Sequence, residues 1–255
     1  MNNTNTLFTG KVLFEFEELT STNDYAIEML AKTKPTEGTV ISATLQTAGR
    51  GQIGSRWLAN AGENITMSII LYPTFLMARR QFLLSQFCAL AIRDMIAQHV
   101  DAAVSIKWPN DIYVHHRKIA GILIQNTLSG QFIQNSVFGM GININQVDFP
   151  AELPNATSLA QCTGSVYDLK TVRDQCLACF EQRYLQLKQQ KIDLIQSDYL
   201  KHLHFLGENT RFENAAGLIF SGTITGTDES GQLLIDTKWG EQAFEPKSIR
   251  FLDLF

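Results

Sequence analysis

Thr39-Val40-Ile41-Ser42-Ala43-Thr44-Leu45-Gln46-Thr47-Ala48-Gly49-Arg50-Gly51-Gln52-Ile53-Gly54-Ser55-Arg56-Trp57 decides what kind of fold this chain adopts. Residues 39–45 are rich in β-branched side chains and read as a strand. A loop carrying three glycines hangs from the end of that strand. Gly49, Gly51 and Gly54 free the backbone to turn its amides toward a ligand and leave no side chain in the way of a close approach. Arg50 sits between two of them, where a guanidinium can fork onto a carboxylate or a phosphate, and Trp57 offers a flat face for stacking. The loop is not a P-loop, because the G-x-x-x-x-G-K-[ST] spacing and its lysine are missing. Taken alone, it also reads as an ordinary surface loop.

Working outward, residues 12–19 read as a strand that delivers the chain into Thr20-Ser21-Thr22-Asn23-Asp24. Ser21 with Asp24 three later has the form of a capping box for a helix over 25–32. After the loop, residues 65–71 alternate apolar and polar, the period of a half-buried strand. Residues 81–98 carry apolar side chains at helical spacing. Residues 104–114 read as two short strands joined at Pro109-Asn110-Asp111, and 118–125 and 136–145 as neighbouring strands of one sheet. A long helix over 167–189 and a shorter one over 194–204 follow, and Gly207 ends the helical region. Beyond it the pattern changes to short strands with glycine turns at 218–224, 231–237 and 241–244. The expectation is an α+β protein: a mixed β-sheet flanked by helices over residues 1–206, and a small β-barrel over 207–255 packed tightly against it.

With 255 residues, core size is not limiting. An apolar fraction of 45% and a charged fraction of 18% are those of a globular protein. A net charge of −4 argues against a broad nucleic-acid-binding face but leaves room for a local basic site. No stretch approaches a membrane span, and Met1-Asn2-Asn3-Thr4-Asn5-Thr6 has neither the charged nor the apolar region of a secretory signal, so the expected location is cytoplasmic. The first ten residues are polar and are expected to fray. Cys88, Cys162, Cys176 and Cys179 read as reduced thiols; the C-x-x-C of Cys176 and Cys179 falls in a helical pattern with no second pair to complete a zinc site, so no resident metal is expected. His202 and His204, two apart, read as residues on different faces of a helix rather than as ligands.

Lys107 lies in an apolar neighbourhood beside Trp108, where its charge needs an anion, and a ligand-facing role is expected. The motifs Thr20-Ser21-Thr22-Asn23, Gln46-Thr47-Ala48-Gly49-Arg50-Gly51, Lys107-Trp108-Pro109-Asn110-Asp111, Lys118-Ile119-Ala120-Gly121-Ile122-Leu123 and Gly139-Met140-Gly141-Ile142-Asn143 occur in that order. In order and spacing they resemble the biotin protein ligases, in motifs from about residue 12 to 160 and in architecture to the end of the chain.

The resemblance implies a class II synthetase-like biotin/lipoate ligase fold with a C-terminal SH3-like β-barrel. It implies a two-step reaction: biotin and ATP, with Mg2+, give biotinyl-5′-adenylate, and biotin then passes to a lysine of a biotin carboxyl carrier protein. It further implies that Ser21, Thr22, Asn23, Gln46, Gly49, Arg50, Gly51, Gln52, Lys107 and Gly121 contact biotin. Arg50, Trp57, Lys107, Lys118 and Asn143 would contact ATP, with Lys107 and Arg50 supplying the catalytic charge. Trp108, Pro109, Asn110 and Asp111 are read as mainly structural.

Two departures stand out. Gln52, Ile53 and Ser55 replace the arginines that other members often carry, so the loop is less basic and bears on adenylate retention. Only 19 residues precede Thr20, where bifunctional members carry a helix-turn-helix domain, so no DNA partner is expected. A sheet edge able to pair with the carrier leaves a homodimer open as well. Two other readings compete: a lipoate or octanoate ligase or transferase of the same fold, and a non-catalytic binding module.

Overall fold

The structure, a computed structural model, describes residues 5–52 and 54–253; Ile53, singled out above, and the termini Met1–Thr4 and Leu254–Phe255 lie outside the described residues. The polar run at 20–24 does cap a helix. Ser21 Oγ accepts the Asp24 N–H, and α1 (Thr22–Lys32) starts three residues earlier than its periodicity predicts, taking Thr22 and Asn23 into its first turn.

Helix α1 links β1 (Leu13–Leu19) to β2 (Val40–Gln46), which pair in parallel. The other strands of this sheet pair antiparallel: β3 (Asn64–Leu71), β4 (Val104–Lys107), β5 (Asp111–Val114), β6 (Arg117–Ser129) and β7 (Phe132–Asn143). The spatial order is β1-β2-β3-β7-β6-β5-β4. One face is covered by α2 (Phe82–Ile96), α4 (Leu169–Lys188) and α5 (Ile192–Lys201); a short α3 (Leu159–Thr163) precedes α4. Ile65, Met67, Ile69 and Leu71 of β3 enter this main core with Phe87, Phe138 and Phe180.

The half-buried reading of β3 needs correcting, for all eight of its residues are buried. Its even-numbered side chains face the other side of the sheet, where α1 packs on them. Ile70 packs there with Ala26, Ile41 and Val137. Thr66 donates to the Ala43 carbonyl at 2.6 Å and Ser68 to Asn23 at 2.6 Å, so these polar groups are buried but partnered.

A second, five-stranded antiparallel sheet has the order β11-β10-β9-β8-β12. It comprises β8 (Asn209–Asn214), β9 (Ile219–Thr227), β10 (Leu233–Thr237), β11 (Gly240–Phe244) and β12 (Ile249–Phe251). The patterning predicts three of these. β8 escapes it because five of its six residues are polar or charged and only Thr210 and Phe212 point inward, and β12 is three residues long. This sheet docks on the β4–β5 edge of the first: Trp108 Nε1 donates to the Gly231 carbonyl at 2.8 Å, and Gly231 at φ +94° lies against the Phe82 ring where a Cβ would not fit.

The expected fraying of the N-terminus is also corrected for residues 6–10. The backbone N–H groups of Leu7, Phe8 and Thr9 all donate to the carboxylate of Glu181 on α4, and Thr6 and Thr9 are buried. His202 closes α5 as its C-cap and His204 lies beyond the helix, buried, so the two do not share a helix. Cys176 and Cys179 do sit on α4, and all four cysteines are unpaired. Among the described residues no helix is long and apolar enough to cross a membrane.

Candidate active site

The face of the first sheet opposite α2 and α4 carries a depression made by missing side chains. Gly139 and Gly141 lie two apart on β7, and Gly121 on β6 pairs directly with Gly141. All three therefore project to one face by the period-two rule. A Cβ at Gly139 would fall on the Asn23 amide, and one at Gly141 inside the Trp57 indole. These glycines are absences of volume rather than turns: they make a floor on which other groups rest.

Side chains from four directions line the cavity over this floor. From the start of α1 and the end of β2 come Ser21, Thr22, Asn23 and Gln46. They form one hydrogen-bonded set: the Thr22 N–H donates to Gln46 Oε1 at 2.8 Å, Ser68 Oγ lies 2.8 Å from Thr22 Oγ1, and Asn23 Nδ2 donates to Gln125 Oε1 at 3.0 Å. This end is uncharged. From the loop come Arg50, Gly51, Gln52, Ser55, Arg56 and Trp57. From β5 and β6 come Asp111 and Lys118, and from the second sheet Lys247.

The loop is a closed ribbon. Arg50 and Arg56 form an antiparallel bridge, Trp57 N–H donates to the Gly49 carbonyl at 3.0 Å and Gly51 N–H to the Ser55 carbonyl at 3.0 Å. Gly49 is needed where it stands, since a Cβ would lie 2.5 Å from the Trp57 carbonyl. The ribbon lays the Trp57 ring over Gly121 and Gly141. The indole Nε1 is buried there with no partner. At the mouth, Arg50 is paired with Asp24 at 2.5 Å.

Charge is distributed unevenly along the cavity. Arg50, Arg56, Lys118 and Lys247 are cationic, against one lining carboxylate, Asp111, among the described residues. Lys118 Nζ lies 2.7 Å from Asp111 and 5.9 Å from the Trp57 ring centroid, so the ammonium is held above the glycine floor by a carboxylate on one side and a π-face on the other. A basic hollow in a chain of net charge −4 selects for a strongly anionic ligand.

Residues 15–143 match the model of the Biotin/lipoate A/B protein ligase family. The chain belongs to this family. It is 34% identical over 234 residues to the bifunctional ligase/repressor BirA of Bacillus subtilis, covering 91% of this chain and 71% of that protein. It is 31% identical over 218 residues to the biotin--[acetyl-CoA-carboxylase] ligase of Paracoccus denitrificans, covering 83% and 89%. Among solved structures, the biotin protein ligase of Aquifex aeolicus in complex with biotin and ATP superposes with a TM-score of 0.79 at 26% identity, over 95% of this chain and 99% of that one.

The site of this family member brings together most of the residues expected to meet there. Ser21, Thr22, Asn23, Gln46, Arg50, Gly51, Gln52, Trp57, Lys118 and Gly121 all line the cavity. Three do not. Gly49 turns toward a neighbouring hollow on the other side of the Trp57 ring. Asn143, at the end of β7, is buried beneath the segment at 157, with Nδ2 donating to the Thr157 carbonyl at 2.9 Å.

The third, Lys107, stands beside the cavity rather than in its lining. It pairs across strands with Asp111, and Asp111 with Gly121, so its side chain lies on the glycine-floor face; its ammonium sits 4.8 Å from the Phe251 ring centroid, and Ser105 Oγ bonds His204 Nδ1 at 2.8 Å. Burial lowers the Lys107 pKa, Asp111 pulls it back up and Lys118 lowers it again, so its ammonium feels both charges that line the cavity at that end. Asn110 and Asp111, read from the sequence as structural, line the cavity: Asn110 Nδ2 donates to the Ile122 carbonyl at 2.6 Å, and Asp111 holds Lys118. Arg56 and Lys247 carried no motif that marked them out. Arg56 could have been found as the strand-paired partner of Arg50; Lys247 has no local signal at all.

Proposed function

We propose that this protein activates biotin with ATP to biotinyl-5′-adenylate and then transfers biotin to a lysine of a biotin carboxyl carrier domain. The observation that carries this reading is the mixed lining of one cavity, in which the neutral hydrogen-bonding groups of Thr22, Asn23 and Gln46 lie with the cations Arg50 and Lys118. Biotin has the matching halves, a ureido ring rich in donors and acceptors and a carboxylate on a short apolar stem.

In the first step a biotin carboxylate oxygen attacks the α-phosphorus of ATP, and the bond to the bridging oxygen breaks as pyrophosphate leaves with the electron pair. Two anions must meet, so catalysis rests on positioning and fixed positive charge. Lys107 and Arg50 supply the catalytic charge, with Lys118 beside Asp111 adding to it, and the Trp57 ring, once displaced from the glycine floor, packs against the nucleotide. In the second step the carrier amine attacks the anhydride carbonyl and AMP departs. Magnesium enters on the triphosphate; one lining carboxylate, already paired with Lys118, suits a metal brought by the substrate rather than a resident ion. Residues 1–206 form the catalytic domain and 207–255 a barrel domain that closes it. Four unpaired cysteines and a need for ATP fit the cytoplasm.

The test is direct. Calorimetric titration with biotin, then magnesium ATP, is expected to show binding of each, and incubation with labelled biotin and a carrier domain is expected to label one lysine. Absence of biotin binding overturns the reading.

A further inference from the structure

Lys247 is the one side chain of the second sheet's segment that lines the cavity among the described residues. It lies between β11 and β12, at φ +69°, a left-handed backbone conformation that a lysine adopts at a cost. A side chain with a β-carbon held in that conformation, and aimed into a site from another domain, is the pattern expected of a functional constraint.

Its direction of entry fixes what it meets. The uncharged end of the cavity belongs to α1 and β2, near one edge of the first sheet. The second sheet docks at the opposite edge, where Trp108 bonds the Gly231 carbonyl and Lys107 lies over Phe251. Lys247 therefore arrives from the side farthest from Thr22 and Gln46, beyond Asp111 and Lys118. A ligand laid across the strands with its neutral head at β2 and its carboxylate near Lys118 presents the phosphates beyond the α position to Lys247.

Resting on the function proposed above, we infer that Lys247 is a positioning residue for the leaving group: it holds the β- and γ-phosphates of ATP and stabilises the pyrophosphate as its bond to the α-phosphorus breaks. The barrel thereby completes the site for the first half-reaction and plays no electrostatic part in the second, where the leaving group is AMP.

The experiment uses the full chain and the variants Lys247→Asn and Lys247→Arg. Asparagine removes the charge yet tolerates the left-handed conformation, so Lys247→Asn is expected to melt no lower than the parent. Pyrophosphate-dependent formation of ATP from preformed biotinyl-5′-adenylate reads the contact directly. Lys247→Asn is expected to raise the pyrophosphate and ATP concentrations for half-maximal rate by roughly tenfold, the loss of one charge-assisted contact. Biotin affinity, and transfer from preformed adenylate to a carrier domain, should stay at the parent's level, and Lys247→Arg should restore most of the loss. Half-maximal concentrations within twofold of the parent, or an equal fall in adenylate transfer, overturn the assignment. A parent that makes no adenylate at all removes the functional reading, and this inference with it, which is a different result from a parent that works beside an unaffected variant.

Discussion

At the scale of single residues, two lysines of neighbouring motifs, Lys107 and Lys118, flank Asp111 on the glycine-floor face. Lys118→Met removes the ammonium above the glycine floor and leaves Asp111 unpaired beside the reacting anions, so adenylate formation is expected to fall by about 100-fold or more. Lys107→Met keeps an apolar stem against Phe251 and removes a charge whose pKa burial has already lowered. It is expected to lower adenylate formation by orders of magnitude, the loss of fixed positive charge beside the reacting anions. Pyrophosphate release by Lys107→Met within a few-fold of the parent would overturn the assignment. Sequence reading places both lysines in motifs but not on either side of one carboxylate, Asp111, and that is a tertiary fact. The same limit explains Asn143, whose motif is plain but whose side chain is turned inward under Thr157.

At the scale of elements, two contacts govern local stability. The nest of three amides around Glu181 ties the segment at 6–10 to α4. Burial would raise this carboxyl's pKa, but the N–H groups of Thr9, Leu7 and Phe8 outweigh it and hold it below its ordinary 4.5. A carboxyl depressed on folding contributes stability above the unfolded value, lost as pH falls through the folded one. Amide protection at 7–9 should therefore hold at neutral pH and fade in acid below about 4.5, and Glu181→Gln should lower stability by about 1–3 kcal/mol at pH 7. His204 acts in a different window. Burial, with His116 and Lys107 beside it, lowers its pKa from 6.5 to about 4. The unfolded chain takes up this proton first, so stability should decline as pH drops from about 6.5 toward 4; a His204→Gln variant whose acid melting profile keeps the parent's slope there would contradict this. Helix and strand identities in the first sheet were legible because their periods were long and regular. β8 was not, since its outward face supplies most of its residues.

At the scale of the whole molecule, the sheet edge β4–β5 carries the joint between the two parts. Trp108→Phe keeps the buried ring volume but loses the bond to the Gly231 carbonyl, and is expected to cost about 1 kcal/mol while leaving biotin affinity at the parent's level. A biotin affinity lost in step with stability would mean that the joint shapes the neutral end of the cavity too. The presence of a second, all-β part could be read from its glycine turns, whereas its reach into the site could not: Lys247 stands in a stretch with no motif, and only the docking of the second sheet on the first brings it near Lys118.

The anchoring of residues 6–10 on α4 has a practical side. That helix covers the sheet face turned away from the glycine floor. An affinity handle or surface tether joined ahead of the anchored segment would leave the molecule on its rear, and an immobilised preparation would present its open mouth to the solution.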